Sequence, residues 1–238
     1  MRTLLLSLFF IFFLFACDNT TLVEKKTFDV SIIPHPKQID TSEKQVLLTN
    51  KSKLYSPHIE VQPLLNLFTE EIKKTTGIDV PVTKEENKEA DLVFLIDQSL
   101  QKEESIIEIN LTIKVSGGSY TALAQAKASL LLMMQKEGNK LKLPVMTIRD
   151  YPNASYRGLM IDLARKWHDV STIKKLIDLA AFYKINYVQL HFTDYQSYTL
   201  PSNKYEKLPS EKHYSFEELN ELEAYSQVRG ITIIPEID

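Results

Sequence analysis

Three short apolar runs, separated by two stretches with helical signals, dominate the last third of the chain. The runs are rich in aliphatic and β-branched side chains and cover residues 156–162, 186–192 and 231–234. Runs of this length predict strands rather than helices. Residues 171–184 carry apolar side chains at helical spacing, and a Ser215–Glu218 capping box opens a second helix that Gly230 ends. The pattern predicts parallel strands with helices packed outside them.

Two architectures fit this order, a (β/α)₈ barrel and a doubly wound sheet, and the acidic residues distinguish between them. Asp162 ends the first run, Asp194 follows the second, and Glu236 with Asp238 follows the third. In a barrel, catalytic side chains collect at the carboxyl ends of the strands. No Gly-x-Gly-x-x-Gly or phosphate-binding loop follows any of the runs, and a nucleotide-binding doubly wound sheet would carry one. The sequence therefore favours the barrel.

Residues 31–150 carry a different succession of elements and predict a separate small α/β domain. Helices are predicted over residues 61–76 and 120–135. Residues 106–115 alternate between apolar and polar side chains, as a half-buried strand does. The predicted fold class is therefore α/β: a small N-terminal domain of sheet plus helices, then the first strands and helices of an incomplete (β/α)₈ TIM barrel over residues 151–238.

The first residues resemble the signal sequence of a bacterial lipoprotein. Arg2 precedes an apolar run over residues 4–15, and the four residues that end at Cys17 resemble a lipobox. The run is too short to cross a hydrocarbon core of about 30 Å comfortably. Cys17 is the only cysteine, so a disulfide within the chain is excluded, whereas lipidation accounts for the residue. We expect a signal peptide over 1–17 and a polar linker over 18–30.

An exported lipoprotein would be anchored to a membrane by its lipid and would face the periplasm or the cell surface. The alternative is a cleaved secretory signal with an incidental cysteine. The net charge of the chain is −3, and Lys and Arg are dispersed among Asp and Glu, so the basic surface that nucleic-acid binding requires is missing. A complete barrel takes about 250 residues, and residues 156–238 supply about a third of that length. We therefore expect the chain to be a fragment of a longer enzyme or the product of a truncated reading frame.

Three motifs follow one another in the last third of the chain: Tyr-Arg-Gly-Leu-Met-Ile-Asp at 156–162 with Ala-Arg at 164–165, Leu-His-Phe-Thr-Asp-Tyr-Gln at 190–196, and Arg-Gly-Ile-Thr-Ile-Ile-Pro-Glu-Ile-Asp at 229–238. In their order and spacing they resemble glycoside hydrolase family 20, the β-N-acetylhexosaminidases. Residues 31–150 resemble, more loosely, the α/β domain that precedes that family's barrel. The resemblance implies release of terminal β-linked N-acetylglucosamine or N-acetylgalactosamine from glycans, with the substrate's own acetamide oxygen as the nucleophile.

The resemblance implies neither a metal nor an organic cofactor. It places the family's catalytic Asp-Glu pair on a strand beyond Asp238, so the 238 residues alone are expected to be inactive. The rival function is a non-catalytic surface lipoprotein that binds glycans or partner proteins. An Asp-Glu pair on a fourth strand would distinguish the enzyme from the binding protein.

The resemblance also assigns roles to individual residues. Arg157 is expected to grip sugar hydroxyls with its fork of donors, and Asp194 to support the hydrogen-bond network of the catalytic acid. Each has a plain alternative, an ion pair for Arg157 and a turn cap for Asp194. Four more residues are expected either to contact these two or to have a structural role: Asp162, Arg165, His191 and Glu236. Because buried carboxylates need a basic partner, Arg165 is expected to pair with Asp162.

Three further positions leave a question open. Tyr195 stands where many members of the family carry a second aspartate, which puts the contacts of that carboxylate and the usual substrate in question. Trp167, the only tryptophan, is interpreted either as a sugar platform or as packing. His191 has no neighbours at metal-ligand spacing, so a hydrogen-bonded histidine at a strand end is expected in preference to a metal ligand.

The lipobox interpretation predicts the fate of the single cysteine. The mature wild-type protein should begin at Cys17 and partition into a detergent phase, and Cys17→Ser should remain uncleaved or move to the aqueous phase. Stable anchoring needs several acyl chains, because one chain binds membranes with a constant of only about 10⁴ M⁻¹. Phase partition and mass spectrometry of the mature N-terminus measure both outcomes. A wild-type mature protein without lipid would contradict the interpretation.

Overall fold

The computed structural model describes residues 21–24, 31–83 and 90–238, and the predicted signal peptide with Cys17 lies outside these residues. Over this part of the chain the strands are β1 (Thr21–Glu24), β2 (Gln38–Leu48), β3 (Leu54–Tyr55), β4 (Leu92–Ile96), β5 (Ser105–Ile109), β6 (Ile113–Gly117), β7 (Gln135–Glu137), β8 (Lys140–Asp150), β9 (Gly158–Asp162), β10 (Tyr187–His191), β11 (Thr193–Asp194), β12 (Ser197–Tyr198) and β13 (Thr232–Glu236). The helices are α1 (Gln62–Thr76), α2 (Tyr120–Met133), α3 (Val170–Phe182) and α4 (Phe216–Gln227), and a 3₁₀ turn (Ile59–Val61) precedes α1.

The N-terminal domain is built on one mixed sheet. Its strand order is β1-β2-β8-β5-β6-β4-β3, and β7 pairs with β8. The strands β3, β4 and β6 are parallel neighbours, whereas β5 is antiparallel to both β6 and β8. The apolar faces of the two helices close its core, where Phe68 of α1 and Leu123 of α2 are fully buried with Phe94 of β4. The predicted small α/β domain is thereby confirmed.

One strand lies in the stretch that its polar composition presented as a linker. Thr21–Glu24 pairs antiparallel with β2, with Thr21 opposite Leu47 and Glu24 opposite Lys44. Backbone groups make the hydrogen bonds of such a ladder, so a polar stretch can add an edge strand without an apolar period. The linker prediction therefore differs from the structure at these four residues.

The second domain contains a three-stranded parallel sheet in the order β13-β10-β9. The helices α3 and α4 cover one face of this sheet, where Ile161 and Leu190 belong to the same buried cluster as Ile177 and Leu222. Strand, helix, strand, helix and strand follow one another as the apolar pattern predicts. The arrangement is consistent with the start of a barrel that follows an α/β domain.

Both helices of the second domain begin at residues that satisfy their first amide groups. The predicted capping box is present: the Glu218 amide donates to Ser215 Oγ at 3.1 Å, and the Ser215 amide donates to Glu218 Oε2 at 2.8 Å. The first helix starts after Asp169, whose Oδ1 accepts from the Thr172 amide at 2.7 Å. These caps fix where each helix leaves its loop. No helix in the part of the chain that the structure describes is long and apolar enough to span a membrane.

Ion pairs join the two domains at the amino ends of the parallel strands. Lys184 Nζ donates to Asp150 Oδ2 at 2.8 Å, and the lysine side chain is 7% exposed. Glu103 Oε1 accepts from Arg157 Nη2 at 2.9 Å and from Asn186 Nδ2 at 3.1 Å. Lys184 holds a φ of 60°, a conformation that costs a non-glycine residue energy and that its partner helps to offset. These contacts therefore hold the amino ends of β9 and β10 against the N-terminal domain.

A glycine brings the second domain into close contact with α2. Gly230 has a φ of 70°, and a Cβ placed on it would lie 2.9 Å from the Cβ of Ala124. The sequence predicts this glycine directly after the helix, whereas α4 ends three residues earlier at Gln227, whose carbonyl accepts from the Gly230 amide at 3.0 Å. Gly230 thus combines a left-handed turn with the close approach of a neighbouring helix.

Substitution of this glycine tests the packing between the domains. Gly230→Ala should lower the free energy of unfolding by about 1–2 kcal/mol for the left-handed backbone and by a further 1–3 kcal/mol, roughly, for the overpacking against α2. Gly138→Ala is the matched control, because Gly138 has a φ of 59° and a Cβ added there would meet no atom within 4 Å. Urea unfolding of both variants measures the difference. Equal losses would mean that the contact with α2 contributes nothing.

Candidate active site

Three polar side chains stand in one row at the carboxyl ends of the parallel strands. His191 lies opposite Asp162 on one side and opposite Glu236 on the other, and each is the last residue of its strand. Side chains alternate between the faces of a strand. Because Ile161 and Leu190, one position earlier, pack into the core with the helices, the row belongs to the opposite face. That face is the one that lines the inside of a barrel.

The imidazole of His191 lies between two carboxylates. Its Nδ1 is 3.1 Å from Glu236 Oε2, its Nε2 is 3.4 Å from Asp194 Oδ2, and its side chain is 8% exposed. Burial by itself lowers the pKa of a histidine, but the hydrogen bonds with Glu236 and Asp194 outweigh burial here and raise the pKa of His191. The predicted hydrogen-bonded histidine at the strand end is therefore present.

The guanidinium of Arg165 joins two of the carboxylates. Its Nη1 donates to Asp162 Oδ2 at 2.9 Å, and its Nη2 contacts Asp194 Oδ2. The other oxygen of Asp162 accepts from the backbone amides of Ala164 and Arg165, at 3.1 and 2.8 Å. The pairing of Arg165 with Asp162 that the sequence predicts is thus present, and it extends to the hairpin formed by β11 and β12.

All three carboxyl groups are held in the charged form. The backbone amide of Arg165, above all, lowers the pKa of Asp162. The amide of the following residue, 2.6 Å from Oδ1, does the same for the pKa of Asp194. The side-chain amide of Gln189, 2.6 Å from Oε2, lowers the pKa of Glu236. Near neutral pH the site therefore presents three anionic side chains beside one guanidinium and one imidazole.

Gln189 is a member of the site that the sequence analysis missed. It lies two positions before His191 on the same strand and therefore on the same face. Its Nε2 donates to the same Glu236 oxygen that faces His191. The signal was available, because a glutamine within an apolar run that is buried on one face marks a polar position on the other face.

Arg157 lies at the opposite end of the sheet from this cluster. It immediately precedes β9, whose five residues separate it from Asp162 by about 3.3 Å per residue. Its Nη1 donates to the Ala154 carbonyl at 2.6 Å and its Nε to the Lys184 carbonyl at 2.9 Å, while Nη2 is paired with Glu103. The structure does not bring Arg157 and Asp194 together. The ion pair, the alternative to sugar binding, is the arrangement observed.

The two aromatic residues near the cluster have different surroundings. The ring of Trp167 stacks on the fully buried Tyr214, with centroids 4.3 Å apart and planes 20° apart. The ring of Trp167 therefore packs against Tyr214 and stays partly exposed. Tyr195 lies in the turn between β11 and β12 and is 99% exposed. No group of three or more His, Cys, Asp or Glu residues that could hold a metal ion occurs among the described residues.

The Arg165 pairs make a prediction about stability and pH. Arg165→Gln should lower the Tm by about 1–4 °C near neutral pH, a small change because the arginine is half exposed. Carboxylates with a lowered pKa stabilise fully above their unfolded pKa of about 3.9, and this contribution is lost as the pH falls through the folded value. The difference in Tm should therefore shrink in acid.

Thermal unfolding across the pH range measures this difference. The control is Lys166→Gln, which removes the same charge from the exposed neighbouring position. A Tm difference that is independent of pH, or an equal loss in the control, would show that the ion pairs of Arg165 do not stabilise the chain.

Two models of glycosyl hydrolase family 20 match the chain, domain 2 over residues 29–151 and the catalytic domain over residues 155–238. A beta-hexosaminidase of Vibrio furnissii is 31% identical over 172 residues, which are 63% of this chain and 28% of the relative. A beta-hexosaminidase of Akkermansia muciniphila is 40% identical over 119 residues, 44% of this chain and 24% of the relative. The chain thus spans about a quarter of the length of these curated relatives.

Solved structures share the arrangement of both domains. The beta-N-acetylhexosaminidase of Bacteroides fragilis aligns with a TM-score of 0.77 at 28% identity, over 87% of this chain and 44% of that one. The exo beta-N-acetylglucosaminidase of Vibrio harveyi aligns with a TM-score of 0.80 at 22% identity, over 91% of this chain and 38% of that one, which shows the fold alone. With both domains matched in their order along the sequence, the chain belongs to glycosyl hydrolase family 20.

Proposed function

We propose that the chain supplies the N-terminal domain and the first part of the catalytic domain of a β-N-acetylhexosaminidase. The enzyme would release terminal β-linked N-acetylglucosamine or N-acetylgalactosamine from glycans. The observation that carries this proposal is the row of Asp162, His191 and Glu236, extended by Asp194, at the carboxyl ends of parallel strands in a family 20 chain. Several curated relatives that bear the name beta-hexosaminidase support the same reaction.

The reaction divides the work between the substrate and two acidic residues. The acetamide oxygen of the substrate attacks the anomeric carbon, one carboxylate steadies the acetamide, and a carboxylic acid protonates the leaving oxygen. The family resemblance assigns the two acidic roles to an Asp-Glu pair. No aspartate in the 238 residues is followed directly by a glutamate. The residues of this chain therefore serve to orient the acidic groups and the substrate.

The contacts of Asp194 support a role in orienting such an acid through a hydrogen bond. An ionised carboxylate offers about four acceptor positions. Its Oδ1 accepts from the Tyr195 amide at 2.6 Å, while its Oδ2 faces both Arg165 and His191. One acceptor position remains for a donor from outside the cluster. This remaining position suits the network to a histidine and a catalytic acid that the resemblance assigns to Asp194.

We propose further that Cys17 carries the lipid that holds the enzyme on a membrane, outside the cytoplasm. The apolar run over residues 4–15 and the lipobox-like sequence that ends at Cys17 support this location. Glycans with terminal N-acetylhexosamines would reach the site there without crossing that membrane.

The proposed function is tested by hydrolysis of an aryl β-N-acetylglucosaminide by the product of the whole gene. The matched aryl β-glucoside lacks the acetamide nucleophile and should not react. Asp194→Asn should lower kcat by about 100-fold, with a smaller change in KM, because its role is to support the acid. The control is Asp40→Asn, an exposed residue of the other domain, which should keep the wild-type kcat.

Three outcomes would contradict the proposal in different ways. Equal hydrolysis of both aryl glycosides would exclude the acetamide mechanism. An unchanged kcat in Asp194→Asn would remove this residue from the network of the acid. Binding of N-acetylglucosamine without any hydrolysis would favour the surface lipoprotein that only binds glycans.

A further inference from the structure

We infer that His191 is a positioning residue that works as a doubly protonated imidazolium, holding Asp194 and Glu236 at a fixed distance from each other. Its effect on hydrolysis rests on the proposed function, whereas its protonation state does not. His191 ends the central strand of the parallel sheet, so it is the residue that can reach both the neighbouring strand and the hairpin beyond its own strand.

The geometry at the two ring nitrogens favours two protons. Each nitrogen faces a carboxylate oxygen, Nδ1 at 3.1 Å from Glu236 and Nε2 at 3.4 Å from Asp194. A neutral imidazole has one N–H and one lone pair, so one of its nitrogens would point a lone pair at an anionic oxygen. An imidazolium donates from both nitrogens. With a side chain that is 8% exposed, water has little access to replace either contact.

The charges around the ring favour the same state. Asp162 approaches from β9, Asp194 from β11 and Glu236 from β13, while Arg165 brings one positive charge from the loop after β9. Three carboxylates beside one guanidinium leave an excess of two negative charges if the imidazole is neutral. Protonation of His191 halves this excess without adding a further side chain.

Arg165 does not substitute for His191 in this cluster. The arginine contacts Asp162 and Asp194, on and beside the first two strands. Within the described residues, the ion pair of Glu236 is with His191, and its other side-chain partner is the neutral amide of Gln189. The imidazolium therefore links the carboxylate of the third strand to Asp194. Loss of one proton would leave the ring with a single N–H, so either Glu236 or Asp194 would lose its imidazole donor.

The direction of the pH dependence follows from the raised pKa of His191. A histidine whose folded pKa exceeds the unfolded value of about 6.5 stabilises fully below that value. The stabilisation is lost as the pH rises through the folded pKa. The carboxylates behave in the opposite sense, because their lowered pKa values make their contribution disappear in acid. The cluster should therefore be most ordered between these two limits.

The experiment is an NMR titration of the histidine rings in the 238-residue chain. Long-range ¹H–¹⁵N correlation distinguishes an imidazolium, in which both nitrogens are protonated, from either neutral tautomer. His191 should show the imidazolium pattern at a pH just above about 6.5, the ordinary value for histidine. Its titration midpoint should move down in Asp194→Asn and again in Glu236→Gln. His58, which faces Glu60 at 3.8 Å in the other domain, is the control, and its ring signals should be the same in both variants as in the wild-type chain.

A neutral-tautomer pattern for His191 at that pH in the wild-type chain would overturn the proposal, and this measurement needs no variant to fold. A midpoint that stays the same in both carboxylate variants would also overturn it. In the whole gene product, His191→Gln should lower kcat by roughly 10- to 100-fold with little change in KM, and the alkaline limb of the wild-type pH profile should follow the His191 midpoint. His213→Gln, at an exposed position, is the matched control.

The two assays separate the proposal from the proposed function. An imidazolium signal without hydrolysis would keep the charged His191 and reject the hexosaminidase. Hydrolysis together with a neutral His191 would keep the enzyme and reject the positioning role.

Discussion

The parallel register of the three strands is the constraint on which the site depends. It sets His191 between Asp162 and Glu236 at the end of the sheet. Because side chains alternate along a strand, a slip of one residue would turn these polar groups toward the helices and expose apolar ones. The apolar residues that alternate with them, such as Leu190 and Ile161, are almost fully buried beneath α3 and α4. Hydrophobic burial on one face thus fixes the positions of Asp162, His191 and Glu236 on the other.

The two ends of the same strands have different physical roles. At the carboxyl end, one imidazole and one guanidinium partly offset the charge of three carboxylates, and Asp194 keeps an acceptor position open. At the amino end, the charged and polar groups pair with one another: Lys184 with Asp150, and Glu103 with Arg157 and Asn186. Removal of one partner from a buried pair leaves an uncompensated charge, which costs about 3–5 kcal/mol. The N-terminal domain therefore stabilises the amino ends of the strands, and the cluster at their carboxyl ends is built from residues of the second domain.

Local patterns in the sequence predicted the helices and strands of the second domain. They could not predict contacts between residues that are distant along the chain. The apolar runs placed β9, β10 and β13, and the serine–glutamate spacing located the start of α4. The acidic residues after each run placed the cluster at one edge, since parallel strands share their carboxyl ends. Arg157 could not be placed in this way, because its partner Glu103 lies 54 positions earlier and in the other domain. The short strand β1, which lies in a stretch without an apolar period, was missed for a related reason, since its pairing with β2 defines it.

Tyr195 contributes to the site through its backbone, whereas its side chain is exposed. The group that holds Asp194 is the backbone amide of residue 195, 2.6 Å from Oδ1, and any residue except proline supplies that amide. The tyrosine ring is 99% exposed and has no packing role, unlike Trp167, which is stacked on the buried Tyr214. Substitution at position 195 therefore leaves the charge network of Asp194 intact. The contact of residue 195 with Asp194 thus comes from its backbone and not from the tyrosine ring.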